Sequence, residues 1–201
     1  MKESFILKNI LPLNELKRLQ VYAMKMWSTQ PNYDTSFGRH QWANTEELGE
    51  LHNRLLELAR DYFEEPDILP SWNLMSFYEG KDAKLWKHKD DNACTYHINF
   101  CVFQKTPWNL WVEGKPYTLM ENDALFTYGN DQEHWREEFP DPDNNMVCNI
   151  FLFYCKPDHW YFTEGPEYLY THIRKEKNID IYVETFPDRA GSVKMYLDGF
   201  H

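Results

Sequence analysis

The chain has no stretch of about 20 apolar residues, the length that an α-helix needs to cross a bilayer. Its first residues also lack the apolar run of a secretory signal peptide, so we expect a cytoplasmic protein with no membrane partner. Positive charge is scarce as well. The 21 lysines and arginines are outnumbered by 32 aspartates and glutamates, and the formal net charge is −11. Without a basic cluster, this balance argues against a surface that binds nucleic acid.

Cysteine is sparse. The four cysteines lie within or beside apolar, strand-like segments, and no pair has the two-residue spacing of a zinc knuckle. We therefore expect reduced and mostly buried thiols rather than disulfides. The sequence also has no His-Glu-x-x-His helix, no phosphate-binding loop, no Gly-x-Ser-x-Gly motif and no Gly-x-Gly-x-x-Gly turn. Zinc-protease, nucleotide-binding and serine-hydrolase chemistries therefore find little support.

Two amphipathic helices are predicted in the first third of the chain. Asn14 is the predicted N-cap of a helix over about 15–27, and Thr45 is the predicted cap of a second helix that runs to about Glu64. In the second helix, leucines recur at steps of three and four residues, which is typical of a helix with one buried face. The segment between the helices, 28–44, is predicted to be a loop or a short strand.

From Ser71 onward the hydrophobic period changes toward two, which indicates strands. The predicted strands are Trp72–Tyr78, Ala83–His88, Thr95–Phe103, Leu110–Val112, Tyr117–Met120, Ala124–Tyr128, Val147–Cys155, Ile179–Phe186 and a last one near Val193–Leu197. Helices followed by many short strands predict a mostly β (α+β) fold, a double-stranded β-helix or jelly-roll (cupin-like) barrel buttressed by two helices. We expect a single domain over 1–201, with 1–70 as the helical buttress, 71–156 as the jelly-roll core and 157–201 as a C-terminal extension.

The most informative pattern is His88-Lys-Asp90, which is answered much later in the chain by His134. Residues two apart on an extended strand point to the same side, so His88 and Asp90 can bind one ion together. His134 can add a third ligand from a distant strand. Two histidines and one carboxylate hold ferrous iron on one face and leave the opposite face open. The alternative is that His88 and Asp90 form an exposed pair in a charged loop.

The segment from Tyr78 to Cys155 resembles the catalytic core of the iron(II)- and 2-oxoglutarate-dependent oxygenases, in particular the prolyl-4-hydroxylase-like branch. That branch typically has a Tyr-x-x-Gly-like turn, then His-x-Asp, then a Gly-Asp-like turn before a strand, and then a distal histidine. The corresponding positions here are Tyr78 with Gly80, His88 with Asp90, Asn122 with Asp123, and His134.

The resemblance implies an enzyme in which His88, Asp90 and His134 bind Fe²⁺ and act in catalysis. Such an enzyme uses 2-oxoglutarate and O₂, releases succinate and CO₂, and hydroxylates an aliphatic C–H bond. The expected substrate is a protein side chain, an amino acid or another small metabolite. The intact Asp90 favours hydroxylation, or a related desaturation or demethylation, because iron halogenases of this fold carry a small residue at that position. Both a monomer and a homodimer are compatible with the sequence.

One family element is absent from its usual place. A lysine or arginine shortly after the distal histidine ordinarily pairs with the far carboxylate of 2-oxoglutarate, but Asn144 stands at that position and the following strand has no basic residue. A cation is still expected, because burying an unpaired carboxylate is costly. Arg136 is the first candidate, since it lies two residues from His134 and its planar guanidinium suits a carboxylate. Lys105 is the second candidate, and Tyr78 can donate a further hydrogen bond.

Other interpretations of the same residues stay open. The barrel could bind a metal or a small ligand without redox turnover, or it could be a metal isomerase or a dioxygenase that does not use 2-oxoglutarate. His97, in an apolar strand, is predicted to be a hydrogen-bonded interior residue rather than a ligand, although it could line the pocket. Arg136 could instead form a surface ion pair with Glu137 or Glu138.

Overall fold

A computed structural model of the chain describes residues 3–29, 33–35, 37–90 and 92–163. The strands predicted within 179–197 lie outside these residues. The described helices are α1 (Leu13–Ser28), α2 (Glu46–Arg54), α3 (Leu56–Phe63) and α4 (Trp160–Thr163), with one 3₁₀ turn at Asn92–Cys94. The described strands are β1 (Phe5–Leu7), β2 (Tyr33–Asp34), β3 (Arg39–Ala43), β4 (Leu69–Glu79), β5 (Leu85–His88), β6 (Tyr96–Gln104), β7 (Leu110–Val112), β8 (Lys115–Tyr117), β9 (Ala124–Thr127), β10 (His134–Arg136) and β11 (Met146–Cys155). Among these helices, none is both long and apolar enough to span a membrane.

Both predicted helices form, with altered ends. The Asn14 cap is wrong: α1 begins at Leu13, two residues earlier than predicted. The residue before it is Pro12, whose carbonyl oxygen accepts hydrogen bonds from the N–H groups of Glu15 and Leu16 at 2.9 and 3.0 Å. Thr45 does cap α2, because its hydroxyl accepts a hydrogen bond from the N–H of Leu48 at 3.3 Å. The second predicted helix is broken in two at Leu55, whose ψ of 1° departs from α-helical geometry.

The strands form two antiparallel sheets. The larger sheet has seven strands in the order β1-β9-β6-β11-β4-β3-β2, and the smaller has four in the order β5-β10-β7-β8. Several neighbours come from distant parts of the chain: long-range pairing brings β5 against β10 and places β11 between β4 and β6. The prediction of a mostly β fold with N-terminal helices is confirmed.

Alternation along the central strands divides the core into two layers. The helix-facing side of the larger sheet buries a cluster that includes Met75, Phe77, Ile98, Phe100, Ile150 and Leu152. Residues one step away on β4 and β11 form a separate cluster with Trp72, Leu74, Tyr78, Phe151 and Phe153. Period-two alternation thus gives the sheet one mainly apolar face that packs on the helices and a second face on which the functional groups lie.

Short strands are where the sequence pattern misled. The segment 28–44, predicted as a loop or a short strand, does contain the short strands β2 and β3, whereas β1 was not predicted at all. β8 ends where the predicted strand Tyr117–Met120 would begin. The position of β8 follows from the tight turn at Glu113 and Gly114, whose φ values of 50° and 76° suit a two-residue hairpin. Pairing with β7 therefore resumes at Lys115, directly after the turn.

Candidate metal centre

The three residues of the predicted triad meet where two strands of the smaller sheet pair. His88 ends β5 and His134 begins β10, and the two are direct partners in the antiparallel register. Asp90 follows β5 in the chain, and its backbone N–H donates to the carbonyl oxygen of Gly129 at 2.9 Å. One ligand atom from each of the three side chains lies within 4.8 Å of the other two. Strand pairing therefore places the distant histidine opposite the His-x-Asp pair.

Hydrogen bonds to the backbone orient both imidazoles. His88 Nδ1 lies 2.6 Å from the carbonyl oxygen of Trp86, and His134 Nδ1 lies 3.0 Å from that of Gln132. A carbonyl oxygen only accepts, so each Nδ1 carries a proton and each Nε2 keeps its lone pair when the ring is neutral. Both Nε2 atoms lie 3.5 Å from Oδ1 of Asp90. Metal-binding histidines use this same division between their two nitrogens.

Mutual interactions set the charge of the cluster. Burial raises the pKa of Asp90, but the charge and hydrogen bond of His134, with the hydrogen bond of His88, outweigh burial and hold that pKa well below its ordinary value. Burial lowers the pKa of His134, yet the neighbouring Asp90 raises it above the ordinary value overall. For His88, burial dominates and lowers the pKa. Without a metal, Asp90 thus favours a proton on His134, whereas burial favours the neutral form of His88.

Gly129 leaves room for the carboxylate. A Cβ atom at this position would lie 2.4 Å from Oδ2 of Asp90 and 2.5 Å from the carbonyl oxygen of Cys94. Such distances are well inside van der Waals contact, so only glycine fits without displacement of its neighbours. The backbone at Gly129 and the side chain of Asp90 are therefore packed against each other.

The triad opens into a cavity with mostly apolar walls. The apolar lining residues are Phe37, Trp72, Leu74, Leu85, Leu110, Phe151 and Phe153. The polar lining beyond the triad consists of Arg39, His97 and Asn99. A largely apolar cavity with a few convergent polar groups is the usual form of a small-molecule site. Among the described residues that line it, Arg39 is the only arginine or lysine.

Arg39 was not among the residues picked out from the sequence. It lies on β3 opposite Tyr78 of β4, and its Nη1 donates to the Tyr78 hydroxyl at 2.5 Å. Its Nε lies 3.5 Å from Oδ2 of Asp34, which also accepts a hydrogen bond from Gln41, and its guanidinium carbon is 4.4 Å from the centre of the Phe37 ring. These contacts hold a charged group at the cavity wall. No motif surrounds Arg39, and the sequence of β3, Arg-His-Gln-Trp-Ala, has no period-two hydrophobic pattern that would indicate a strand.

The predicted cosubstrate residues lie in different places. Arg136 is buried and shares a strand with His134, but it lies outside the cavity lining: its Nη1 donates to the Trp108 carbonyl and its guanidinium carbon is 4.7 Å from the Trp108 ring centre. Burial lowers the pKa of Arg136 to about 10. The structure shows no ion pair between Arg136 and a described carboxylate, Glu137 and Glu138 included. Tyr78 is fully buried and reaches the cavity through Arg39, whereas Lys105 is exposed after β6.

His97 faces the other carboxylate oxygen of the triad. Its Nδ1 lies 3.5 Å from Oδ2 of Asp90, and its ring stacks on Phe153 with 4.6 Å between ring centres. Burial lowers the pKa of His97 to about 4, so the ring is neutral at neutral pH. Neither ring nitrogen has a hydrogen-bond partner among the residues with known positions. His97 thus lines the cavity without the hydrogen bonds expected from the sequence.

Comparisons with known proteins find relatives by structure alone. The sequence matches no protein-family model and no curated protein. The structure is similar to that of EctD from S. alaskensis with bound Fe, at 13% identity and a TM-score of 0.62, over 79% of this chain and 78% of that one. It is also similar to a Pseudomonas putida prolyl-4-hydroxylase, at 8% identity and a TM-score of 0.61, over 76% of this chain and 92% of that one. A third similar structure is SnoK, a non-heme alpha ketoglutarate dependent carbocyclase from nogalamycin biosynthesis. The identity is 10% and the TM-score is 0.64, over 77% of this chain and 80% of that one. The chain therefore has the fold of the iron- and 2-oxoglutarate-dependent oxygenases, as its resemblance to them predicted.

Proposed function

We propose that this protein is an iron(II)- and 2-oxoglutarate-dependent dioxygenase that hydroxylates an aliphatic C–H bond and releases succinate and CO₂. The observation that carries the proposal is the convergence of two imidazole Nε2 atoms and one carboxylate oxygen, with both Nδ1 atoms tied to backbone carbonyls. This arrangement places three potential ligand atoms within 4.8 Å of one another. Two histidines and one carboxylate are the donor set of non-heme Fe(II) oxygenases.

The surroundings of the triad fit a metal ion better than they fit an ion pair alone. The Nε2 atoms of His88 and His134 both lie 3.5 Å from the same oxygen of Asp90, whereas an ion pair between Asp90 and His134 would not need His88. His88, Asp90 and His134 would hold ferrous iron, whose chemistry when bound is the activation of O₂ toward a C–H bond. The cavity begins at the triad, so the open side of such an ion would face it.

The far carboxylate of 2-oxoglutarate needs a cation, and Arg39 is our first assignment. Arg39 lines the same cavity as the triad, whereas β11 offers no basic residue to it. The hydroxyl of Tyr78 and the ring of Phe37 hold the guanidinium in place, so little side-chain entropy is lost on binding. Arg136 is the second assignment, because it is buried and its cross-strand partner Leu85 lines the cavity.

The substrate would lie against the aromatic wall of the cavity. Trp72 and Phe153 stack with 4.9 Å between ring centres, and Phe151 lies next to them, so this wall favours an apolar group over water. The proposed substrates are a small metabolite, an amino acid or an amino-acid side chain that can enter an enclosed site. Asp90 keeps the third ligand position filled by protein, which favours hydroxylation over halogenation.

The decisive experiment measures iron and 2-oxoglutarate binding together without oxygen. Anaerobic addition of 2-oxoglutarate to the Fe²⁺-loaded protein should produce a visible charge-transfer band, and admission of air should then yield succinate. Removing one of three protein ligands takes away a large part of the binding free energy of the metal ion. His134→Ala and Asp90→Ala should therefore each weaken Fe²⁺ binding by about 100-fold or more. His159→Ala, at a histidine outside the cavity, should bind as the wild type does.

Two results would contradict the proposal in different ways. If both triad variants bind Fe²⁺ as well as the wild type does, the metal centre lies elsewhere. If the wild type binds iron but 2-oxoglutarate produces neither the band nor succinate, the protein is a metal-binding module or an enzyme that uses another cosubstrate.

A further inference from the structure

The two oxygens of Asp90 have different surroundings. Oδ1 lies 3.5 Å from the Nε2 atoms of both His88 and His134, which makes it the oxygen directed at the proposed ion. Oδ2 points away from them, is buried, and has no hydrogen-bond partner among the described residues. A buried carboxylate oxygen that lacks a partner costs free energy, so a donor for Oδ2 is expected. The backbone of Gly129 covers Oδ2 without reaching it with an N–H group.

His97 is the group that faces Oδ2. Its Nδ1 lies 3.5 Å from that oxygen, and both of its ring nitrogens are buried without partners in the described part of the chain. The ring is held between β6 and β11, stacked on Phe153 at 30° and 5.5 Å from the centre of Phe151. His97 Nδ1 and Asp90 Oδ2 are thus two buried polar atoms that face each other, and neither has another hydrogen-bond partner in the described part of the chain. A hydrogen bond between them would satisfy both.

We propose that His97 is a positioning residue of the metal centre, whose Nδ1–H donates to Oδ2 of Asp90 and so holds the carboxylate as a one-oxygen ligand. This inference rests on the proposed function, because it assumes that the triad holds an ion. A movement of about half an ångström would bring the two atoms to a hydrogen-bond distance of about 3 Å. With Oδ2 engaged, only Oδ1 binds the ion, and a position that a two-oxygen carboxylate would fill stays open on the cavity side.

The test compares two replacements of His97 with Co²⁺ as the probe. His97→Phe keeps a ring in the aromatic stack but has no N–H, whereas His97→Asn places an amide N–H near the position of Nδ1. Hydrogen-bond partners of metal ligands change metal affinity by about 10–100-fold, so we expect His97→Phe to bind Co²⁺ more weakly by that factor. His97→Asn should stay within a few-fold of the wild type. The thermal midpoint of metal-free His97→Phe should stay close to that of the wild type, because the new ring keeps the stack on Phe153.

The chain offers a matched control in His52. This histidine is equally buried, also has an unpartnered Nε2, and packs on the ring of Tyr154 at 4.5 Å, outside the cavity lining. His52→Phe should therefore leave Co²⁺ affinity unchanged.

Several outcomes overturn the inference. One is that His97→Phe binds Co²⁺ as tightly as the wild type does. Another is that His97→Phe and His97→Asn lose Co²⁺ affinity equally and that both also have lower thermal midpoints, because this would indicate a purely structural residue. If the wild type itself binds no Co²⁺, the proposed function fails together with this inference. If the wild type binds Co²⁺ and His97→Phe binds equally well, only the role of His97 fails.

Discussion

The two ends of the cavity are built by different rules. At the metal end, three ligands meet because His88 and His134 are cross-strand partners and Asp90 follows two residues after His88. At the carboxylate end, the available cations come from unrelated places: Arg39 from β3 of the larger sheet and Arg136 from β10 of the smaller one. A metal centre needs several atoms at fixed mutual distances, whereas a carboxylate needs one guanidinium at any point of the wall that it can reach.

Charge balance also differs between the ends. In the metal-free protein, the charge of Asp90 is matched by the proton that it favours on His134. At the other end Arg39 is paired with Asp34, while Arg136 has only the Trp108 carbonyl and ring as described partners. Arg39 is the only arginine or lysine among the described lining residues, so it is the group at the cavity wall that can attract an anion. Three measurements test this difference between the metal ligands and the cations.

The largest effect is expected from removing the charge of Arg39. Truncating one member of a buried, hydrogen-bonded charge pair costs about 2 kcal/mol or more, so Arg39→Gln should weaken 2-oxoglutarate binding by about 30-fold or more. Binding of 2-oxopentanoate, which has no distal carboxylate, should change only a few-fold. Arg136→Gln should leave both ligands within a few-fold of the wild type. Titration of the visible band of the anaerobic Fe²⁺ protein measures all of these affinities.

Other results of this experiment are equally informative. A large loss in Arg136→Gln with an unaffected Arg39→Gln would move the anchor to Arg136 and leave Arg39 as a structural partner of Tyr78. Equal losses for 2-oxoglutarate and 2-oxopentanoate in Arg39→Gln would show a general disturbance of the cavity and not the loss of a carboxylate contact.

The second measurement uses pH to separate the two ends. Asp90 raises the pKa of His134, so a proton remains on this ligand to higher pH than on an ordinary histidine, and a metal ion must displace it. Apparent Co²⁺ affinity should therefore rise with pH, and fall by about tenfold per pH unit once the pH is below the pKa of His134. His88 adds no second proton near neutrality, because burial lowers its pKa, and Asp90 stays ionised.

The carboxylate end should behave differently over the same range. Arginines stay charged far above neutral pH, so the affinity of the metal-loaded protein for 2-oxoglutarate should stay nearly constant between about pH 6 and 8. Co²⁺ titrations at several pH values, with proton release measured in a weak buffer, give both slopes. A release of two protons, or an affinity for Co²⁺ that does not change with pH, would contradict the charge state derived for the triad.

The metal ligands could be predicted from the sequence, whereas the cation that lines the cavity could not. His88, Asp90 and His134 could be picked out because a fixed spacing on strands and a distal histidine form a pattern, and the structure brings them together. Arg39 could not be, because it has no motif and its place beside the cavity depends on the pairing of β3 with β4.

Local signals explain the secondary-structure outcome too. Long strands such as β4 and β11 are ten or more residues of mostly apolar sequence, so their existence was predicted, with errors at the ends. Strands of two or three residues, such as β1 and β10, are too short to show a period. Their pairing is decided by long-range partners, which a single sequence does not reveal.

The smallest effect is expected from Gly129→Ala, which tests how little movement the metal end allows. The added methyl group would lie 2.4 Å from Oδ2 of Asp90, so the carboxylate or the backbone must shift. Forcing a methyl group into a packed site costs about 1–3 kcal/mol, and we expect the metal-free protein to lose stability by that amount. Co²⁺ affinity should fall several-fold, because Oδ1 moves together with Oδ2. Urea unfolding and Co²⁺ titration of the same variant measure the two effects.

Gly49→Ala is the matched control, since it adds the same methyl group elsewhere. Gly49 lies within α2, and nothing lies within 4 Å of a Cβ built there, so alanine should stabilise the protein by up to about 1 kcal/mol and leave Co²⁺ affinity unchanged. If Gly129→Ala instead binds Co²⁺ like the wild type, the carboxylate can move by about an ångström without penalty. Metal binding would then tolerate a displaced ligand as well as carboxylate binding tolerates a displaced arginine. Fixed distances among the ligand atoms could not then explain the regular spacing of His88, Asp90 and His134 in the sequence.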